Sequence, residues 1–329
     1  MNRRDVLTLG LAALLPRALA AGTAIAQTKY PERPIRLVVP APPGGQADAL
    51  GRPWADRMKS LLGTVVVENI GGAGGSLGAA HVARAQPDGY TILLGLSGTH
   101  VITPIAARRP SYDPIQDFQA IYLLALTSMS ILVNPSLPVR TLQQLVDYAK
   151  ANPGKLSYGS AGGASLPRLT GELFKSLSGI ADIMHVPYRG GGPLIQDLVG
   201  GHIPVAISAV TGQVIELHRS GQLRMIAVTS PARLVGVPDV PTAIEAGLSD
   251  MIAQGFGGLF APRATPNAVI EQIAGAIRTA MADRELHDVF VASGFEPQID
   301  SGPESTRRFI EEEIRRWTPV VRAIGLKLE

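Results

Sequence analysis

From residue 34 onward, short β-branched runs alternate with helical stretches, and glycine, proline or serine marks each junction. The alternation predicts α/β architecture with parallel strands, because a strand returning parallel to its neighbour needs a helix-length crossover. A first unit places strands over residues 35–39, 64–68 and 90–94, with helices over 47–62 and 76–85 between them. A second unit places strands over 131–133, 155–158, 183–186, 203–207 and 223–228. Its helices start at Thr141, with Gln144 completing a capping box, and then cover 166–177, 193–199 and 212–219. The tail reads as helical. Thr242 and Glu245 form another box, Thr265-Pro266 opens a helix over 267–282, and a last helix starts at Ser301 with Glu304 as its reciprocal cap. The mixed-charge run of residues 311–316 in that helix reads as a solvated face with i,i+4 pairing. Trp54 and Trp317 read as packing residues.

The first 26 residues carry a basic head with Arg3-Arg4, an apolar run over 6–15 and small-x-small sites at Ala18-Leu19-Ala20 and Ala24-Ile25-Ala26. This is the order of a cleavable export signal, of either the twin-arginine or the ordinary secretory type. The whole chain has a formal charge of +3, and most of it sits in that leader, so the body is near neutral. A near-neutral body lacks the electrostatic footprint of a nucleic-acid binder. There is no cysteine, which excludes disulfides, thiolate metal sites, a cysteine nucleophile and a lipidated anchor. After the leader no run approaches the ~20 apolar residues of a membrane helix. A soluble, exported, periplasmic protein is expected.

Glycine-rich segments recur where strands hand over to helices: residues 42–46, 71–76 and 159–165. Helix N-termini expose unpaired amides and carry partial positive charge, so such loops suit carboxylates without any lysine or arginine. Taken singly each also suits a tight turn, and 71–75 reads best that way. Nucleotide readings fail, since Leu77 stands where a dinucleotide fingerprint needs glycine and no loop ends in Gly-Lys-Ser/Thr. A hydrolase reading fails too. Residues 95–99 and 163–167 miss the closing glycine of a nucleophile elbow, and the six histidines show no metal-ligand spacing. No catalytic residue, metal or cofactor is expected. His100 follows the third strand, where α/β ligands sit, and reads equally as a cleft or a loop residue.

Specific runs carry a resemblance. They include Val39-Pro40-Ala41-Pro42-Pro43-Gly44-Gly45-Gln46-Ala47-Asp48, Pro87-Asp88-Gly89-Tyr90-Thr91, Tyr158-Gly159-Ser160-Ala161-Gly162 and His185-Val186-Pro187-Tyr188-Arg189-Gly190. In order and spacing the chain resembles the Bug-type solute-binding receptors of tripartite tricarboxylate transporters. The resemblance implies a type II periplasmic-binding fold, with two α/β domains, two chain crossovers and a ligand cleft between the domains. Domain 1 is then expected over 27–127 plus 231–329, and domain 2 over 128–230. It further implies capture of a small carboxylate-bearing solute by a monomer and its delivery to membrane permease subunits. A sensing partnership with a membrane kinase would use the same fold. By position, domain 1 offers Pro42, Gly44, Gly45, Asp48, Ser97, Thr99 and His100, and domain 2 offers Ser160, Gly162, Gly163, Ser165, Tyr188, Arg189, Gly190 and Ser208. Asp48 is expected to orient its own loop, because a bare carboxylate would repel an anion. Arg189 reads equally as a solvated strand-end charge. The chain departs from the family pattern at Ala41, which replaces an aromatic residue, and at Ala164 and Arg168, so the solute of a relative does not carry over.

Overall fold

The computed structural model describes residues 30–162, 165–180 and 182–328, and the expected leader lies outside them. Three parallel strands come first: β1 (Ile35–Val39), β2 (Val65–Asn69) and β3 (Thr91–Leu96), with α1 (Gln46–Met58) and α2 (Ser76–Ala83) as crossovers. After α3 (Thr103–Ala106) comes a 16-residue strand, β4 (Phe118–Val133). Next are α4 (Leu142–Ala151), β5 (Ser157–Ala161), α5 (Leu166–Ser178), β6 (Met184–Tyr188), α6 (Gly191–Val199), β7 (Val205–Ala209), α7 (Gly212–Arg219) and β8 (Arg224–Val228). The chain ends through β9 (Gln254–Pro262), α8 (Asn267–Met281), α9 (Arg284–Ala292), β10 (Phe295–Pro297) and α10 (Pro303–Ala323).

The strands lie in the order β2-β1-β3-β9-β4-β7-β5-β6, with β8 and β10 also paired to β4. β4 joins the two halves. Its residues 118–128 pair antiparallel with β9, and its residues 129–133 pair with β7 and β8. In that last stretch alternate side chains enter different cores, as the two-residue strand period requires. Ile131 and Val133 pack with α4 and α5 residues such as Leu145 and Phe174, while Leu132 packs with Leu194 and Leu198 of α6. The other half has its own core, which includes Val38, Leu93, Phe118, Phe260 and Trp317.

The chain passes between the halves at the Ser128-Met129 bond and again along the segment that links β8 to β9. These passages are tied by Thr229. Its Oγ1 donates to the Ala253 carbonyl at 2.6 Å and accepts from the Met129 amide at 3.1 Å. Its amide bonds the Met129 carbonyl at 2.9 Å and Ser128 Oγ at 3.0 Å. Both Thr229 and Ser128 are fully buried.

Several expectations are corrected. The 131–133 strand is only the end of β4, and β9, β10 and α9 were not anticipated. Thr242 and Glu245 make both bonds of their box, at 2.8 and 3.0 Å, yet only turns follow, ending at Gly247 with φ +98°. α10 begins at Pro303 and not at Ser301. Ser305 Oγ accepts from the Gly302 amide at 3.0 Å, while Ser301 Oγ accepts from the Leu123 amide and Glu304 pairs with Arg308. Nor is the charged run of α10 wholly solvated: Glu313 is buried and accepts from Trp317 Nε1 at 2.9 Å. Burial raises its carboxyl above the ordinary value, against the opposing pull of Arg316 and Trp317. Trp54 and Trp317 are both buried.

Candidate ligand-binding crevice

Two adjoining cavities open between the halves of the sheet, and they share Gln46, Pro167 and Ala209 on their walls. The outer one, about 620 Å³, is framed by helix starts. Residues 44–46 at α1, Gly191 and Gly192 at α6, and Thr211, Gly212 and Gln213 at α7 face it, with Pro167 of α5 alongside. Each start follows the C-terminal end of a parallel strand, so the four macrodipoles bring their positive ends to one crevice. Thr211 and Ser165 cap α7 and α5 by accepting from Val214 and Arg168 amides. α1 and α6 begin with glycine and have no side-chain cap, so their first amides stay available. The inner cavity, about 300 Å³, is walled by apolar side chains including Leu50, Leu96, Met129, Leu166 and Phe256. Among the described residues, no ionisable side chain lines either cavity.

The β1–α1 loop owes its shape to one buried carboxylate. Asp48 accepts from the Gly44 amide at 2.6 Å and from Asn69 Nδ2 at 2.9 Å, and Arg52 Nε lies 3.2 Å away. Asn69 also donates to the Ala41 carbonyl at 3.0 Å. Burial raises the Asp48 carboxyl, but Asn69, Gly44 and Arg52 outweigh it and hold the group below its ordinary value. Its charge is therefore consumed within the loop, and Gly44 takes φ +83° beside it.

The structure divides the other expected site residues. Gly44, Gly45 and Ser208 line the outer cavity and Ser97 the inner one, where Ser97 Oγ accepts from the Phe256 amide at 3.0 Å. Pro42 is exposed in the same loop, and Gly190 caps α6 at the crevice. Ser160 is fully buried. It sits inside β5, paired on one side with β6 and on the other with β7, and its hydroxyl meets His185 Nε2 at 2.8 Å. The glycine-rich turn therefore starts later than expected, at Gly162 with φ +81°. His100 is fully buried too, stacked on Phe260 at 3.8 Å, with Nδ1 3.0 Å from Thr99 Oγ1, and burial pushes it down to about 3. Thr99 is equally buried, its hydroxyl engaged with Leu96. Tyr188 donates to Asp197 at 2.9 Å and is pushed up to about 12 by burial and that carboxylate. Arg189 is exposed and lines neither cavity. Gly163 lies outside the described residues.

Sequence reasoning reached the start of α6 only through Gly190 and missed Gly191, Gly192, the start of α7, Gln46 and the inner cavity. The rule that marked the other loops, small residues between a strand and a helix, marks Thr211-Gly212 equally well. A third cavity, about 750 Å³, takes Gly162 from the β5–α5 turn and Arg168 from the first turn of α5, together with Arg109 and Lys327. The 71–75 segment borders it through Ala73 and Gly74, and Gly75, at φ +91°, lies where a Cβ would come within 2.9 Å of the Pro40 carbonyl. That segment is the tight turn its sequence suggested.

Two α/β halves, two passages between them and a crevice at the strand ends define a periplasmic solute-binding protein of the type II fold. Residues 51–326 match the family model described as tripartite tricarboxylate transporter family receptor, and the chain belongs to that family. It is 35% identical to protein BugT of Bordetella pertussis over 91% of this chain and 92% of that one. The solved periplasmic binding protein BugD is 32% identical, with a TM-score of 0.79, covering 91% of this chain and 100% of its own. The structure of Rhodopseudomonas palustris Rpa4515 with adipate is 31% identical, with a TM-score of 0.81, covering 91% and 99%.

Proposed function

We propose that this chain captures a small carboxylate in the inter-half crevice by closure of two lobes and hands it to the membrane subunits of a tripartite transporter, without making or breaking a bond. The observation that carries the reading is the convergence of four helix starts, from both halves, on a cavity free of ionisable side chains. The adipate held by Rpa4515 is a solute of the same chemical class. The lobes would be residues 27–127 with 231–329, and 128–230, turning about the Thr229 tie. Residues 1–26 would serve as the export leader, and the receptor would act as a monomer.

The energetics favour closure over a static site. One helix terminus contributes about 0.3–2 kcal/mol to an anion, whereas micromolar affinity requires about 8 kcal/mol. Charge-assisted bonds from the opposing lobe, each about 1.5–3 kcal/mol, supply the difference once water is expelled. Thermal-shift screening against mono-, di- and tricarboxylates and amino acids tests the reading, since a ligand that binds only the folded state raises the melting temperature. A carboxylate that stabilises the chain and contracts it in small-angle scattering is the expected result. Stabilisation by neutral or cationic solutes alone would refute it.

A further inference from the structure

We propose that the solute is a monocarboxylate with an apolar body of about one ring in size: the carboxylate at the helix starts of the outer cavity, the body in the inner one. This rests on the carboxylate reading above and narrows it. The inner cavity is about 300 Å³, roughly twice a cavity of ~150 Å³ that accepts benzene. Its walls come from both halves: Leu50, Leu96 and Phe256 from one, Leu166 and Ala209 from the other, with Met129 at the passage between them.

The polar side chains on its wall are neutral. Gln46 Nε2 donates to Thr127 Oγ1 at 2.9 Å, and Ser97 Oγ accepts from the Phe256 amide. Two long helices start on this cavity: α1 brings Gln46 and Ala47 to its wall, and α5 brings Leu166 and then Pro167, which has no N–H to offer. A second carboxylate carried into this space would find no cation on its wall, only apolar side chains and neutral amide or hydroxyl groups. An apolar ring loses nothing polar there and covers the apolar wall. Ala41, half-exposed on the β1–α1 loop, leaves one side of the space open.

Titration calorimetry of the exported chain at pH 7 with benzoate, phenylacetate and isovalerate, set against succinate, malate and adipate, tests this. The first group is expected to bind at least about tenfold more tightly than the second. Ala41→Trp, which fills the open side from a half-exposed position, is expected to weaken benzoate by about tenfold or more with the melting temperature kept. Tighter binding of the dicarboxylates overturns the inference and leaves the carboxylate reading standing. Benzoate binding that Ala41→Trp does not change overturns the placement of the body. Failure of both groups to bind removes the carboxylate reading itself.

Discussion

Asp48 shows how one side chain can shape a loop from within. Its carboxylate is spent on the Gly44 amide, Asn69 and Arg52, which fixes the loop that presents the first amides of α1. Its folded value lies below the ordinary 3.8, so the interaction stabilises the fold in full above that pH and is lost as the pH falls through the folded value. Asp48→Ala is therefore expected to cost about 1–3 kcal/mol at neutral pH, less toward pH 3, and to weaken carboxylate binding. Urea unfolding at the two pH values, with calorimetry, reads both effects. An equal loss at both pH values would show that packing, and not charge, is the contribution. Asp48 was legible in the sequence because an acid beside an anion site must have another partner. Ser160 and His100 were not, because nothing local says whether a residue at a strand end still belongs to the ladder or turns into the core.

At the scale of elements, the strand–helix alternation was readable wherever one face of an element meets water. It failed where both faces are buried. β4 is buried along most of its length on both faces, so it lacks a two-residue alternation, and β9 is glycine-rich, which in sequence looks like a loop. The glycines of β9 serve packing: a Cβ on Gly257 would lie 2.1 Å from Leu50, and one on Gly255 would lie 2.8 Å from Thr127. The caps of the tail misled for a different reason. A Thr/Glu box satisfies two amides whether or not the chain continues as a helix, and the left-handed turn at Gly247 ends it. The passage between the halves gives the prediction at this scale. Thr229→Val keeps the shape but removes the hydroxyl shared by Met129 and Ala253, and should cost about 1–3 kcal/mol. Hydrogen exchange should quicken at the amides of residues 129 and 253 before it does in β1 or β5. Uniform quickening would mean that the tie is not a local hinge.

For the whole molecule, the neutral lining of the crevice governs how binding responds to conditions. Two titratable groups on the loops that frame the crevice are committed elsewhere: Asp48 within its loop and Tyr188 to Asp197. Affinity for a fully ionised carboxylate is therefore expected to change by less than about threefold between pH 5 and 9, because no protein group there changes charge. A bell-shaped calorimetric profile in that range would show that a titrating side chain contacts the solute and would overturn the neutral-crevice reading. The clamp of main-chain amides proposed above cannot be erased one side chain at a time. Descendants of this chain are thus free to exchange the aliphatic lining behind it and take up new nutrients while the same grip is inherited unchanged.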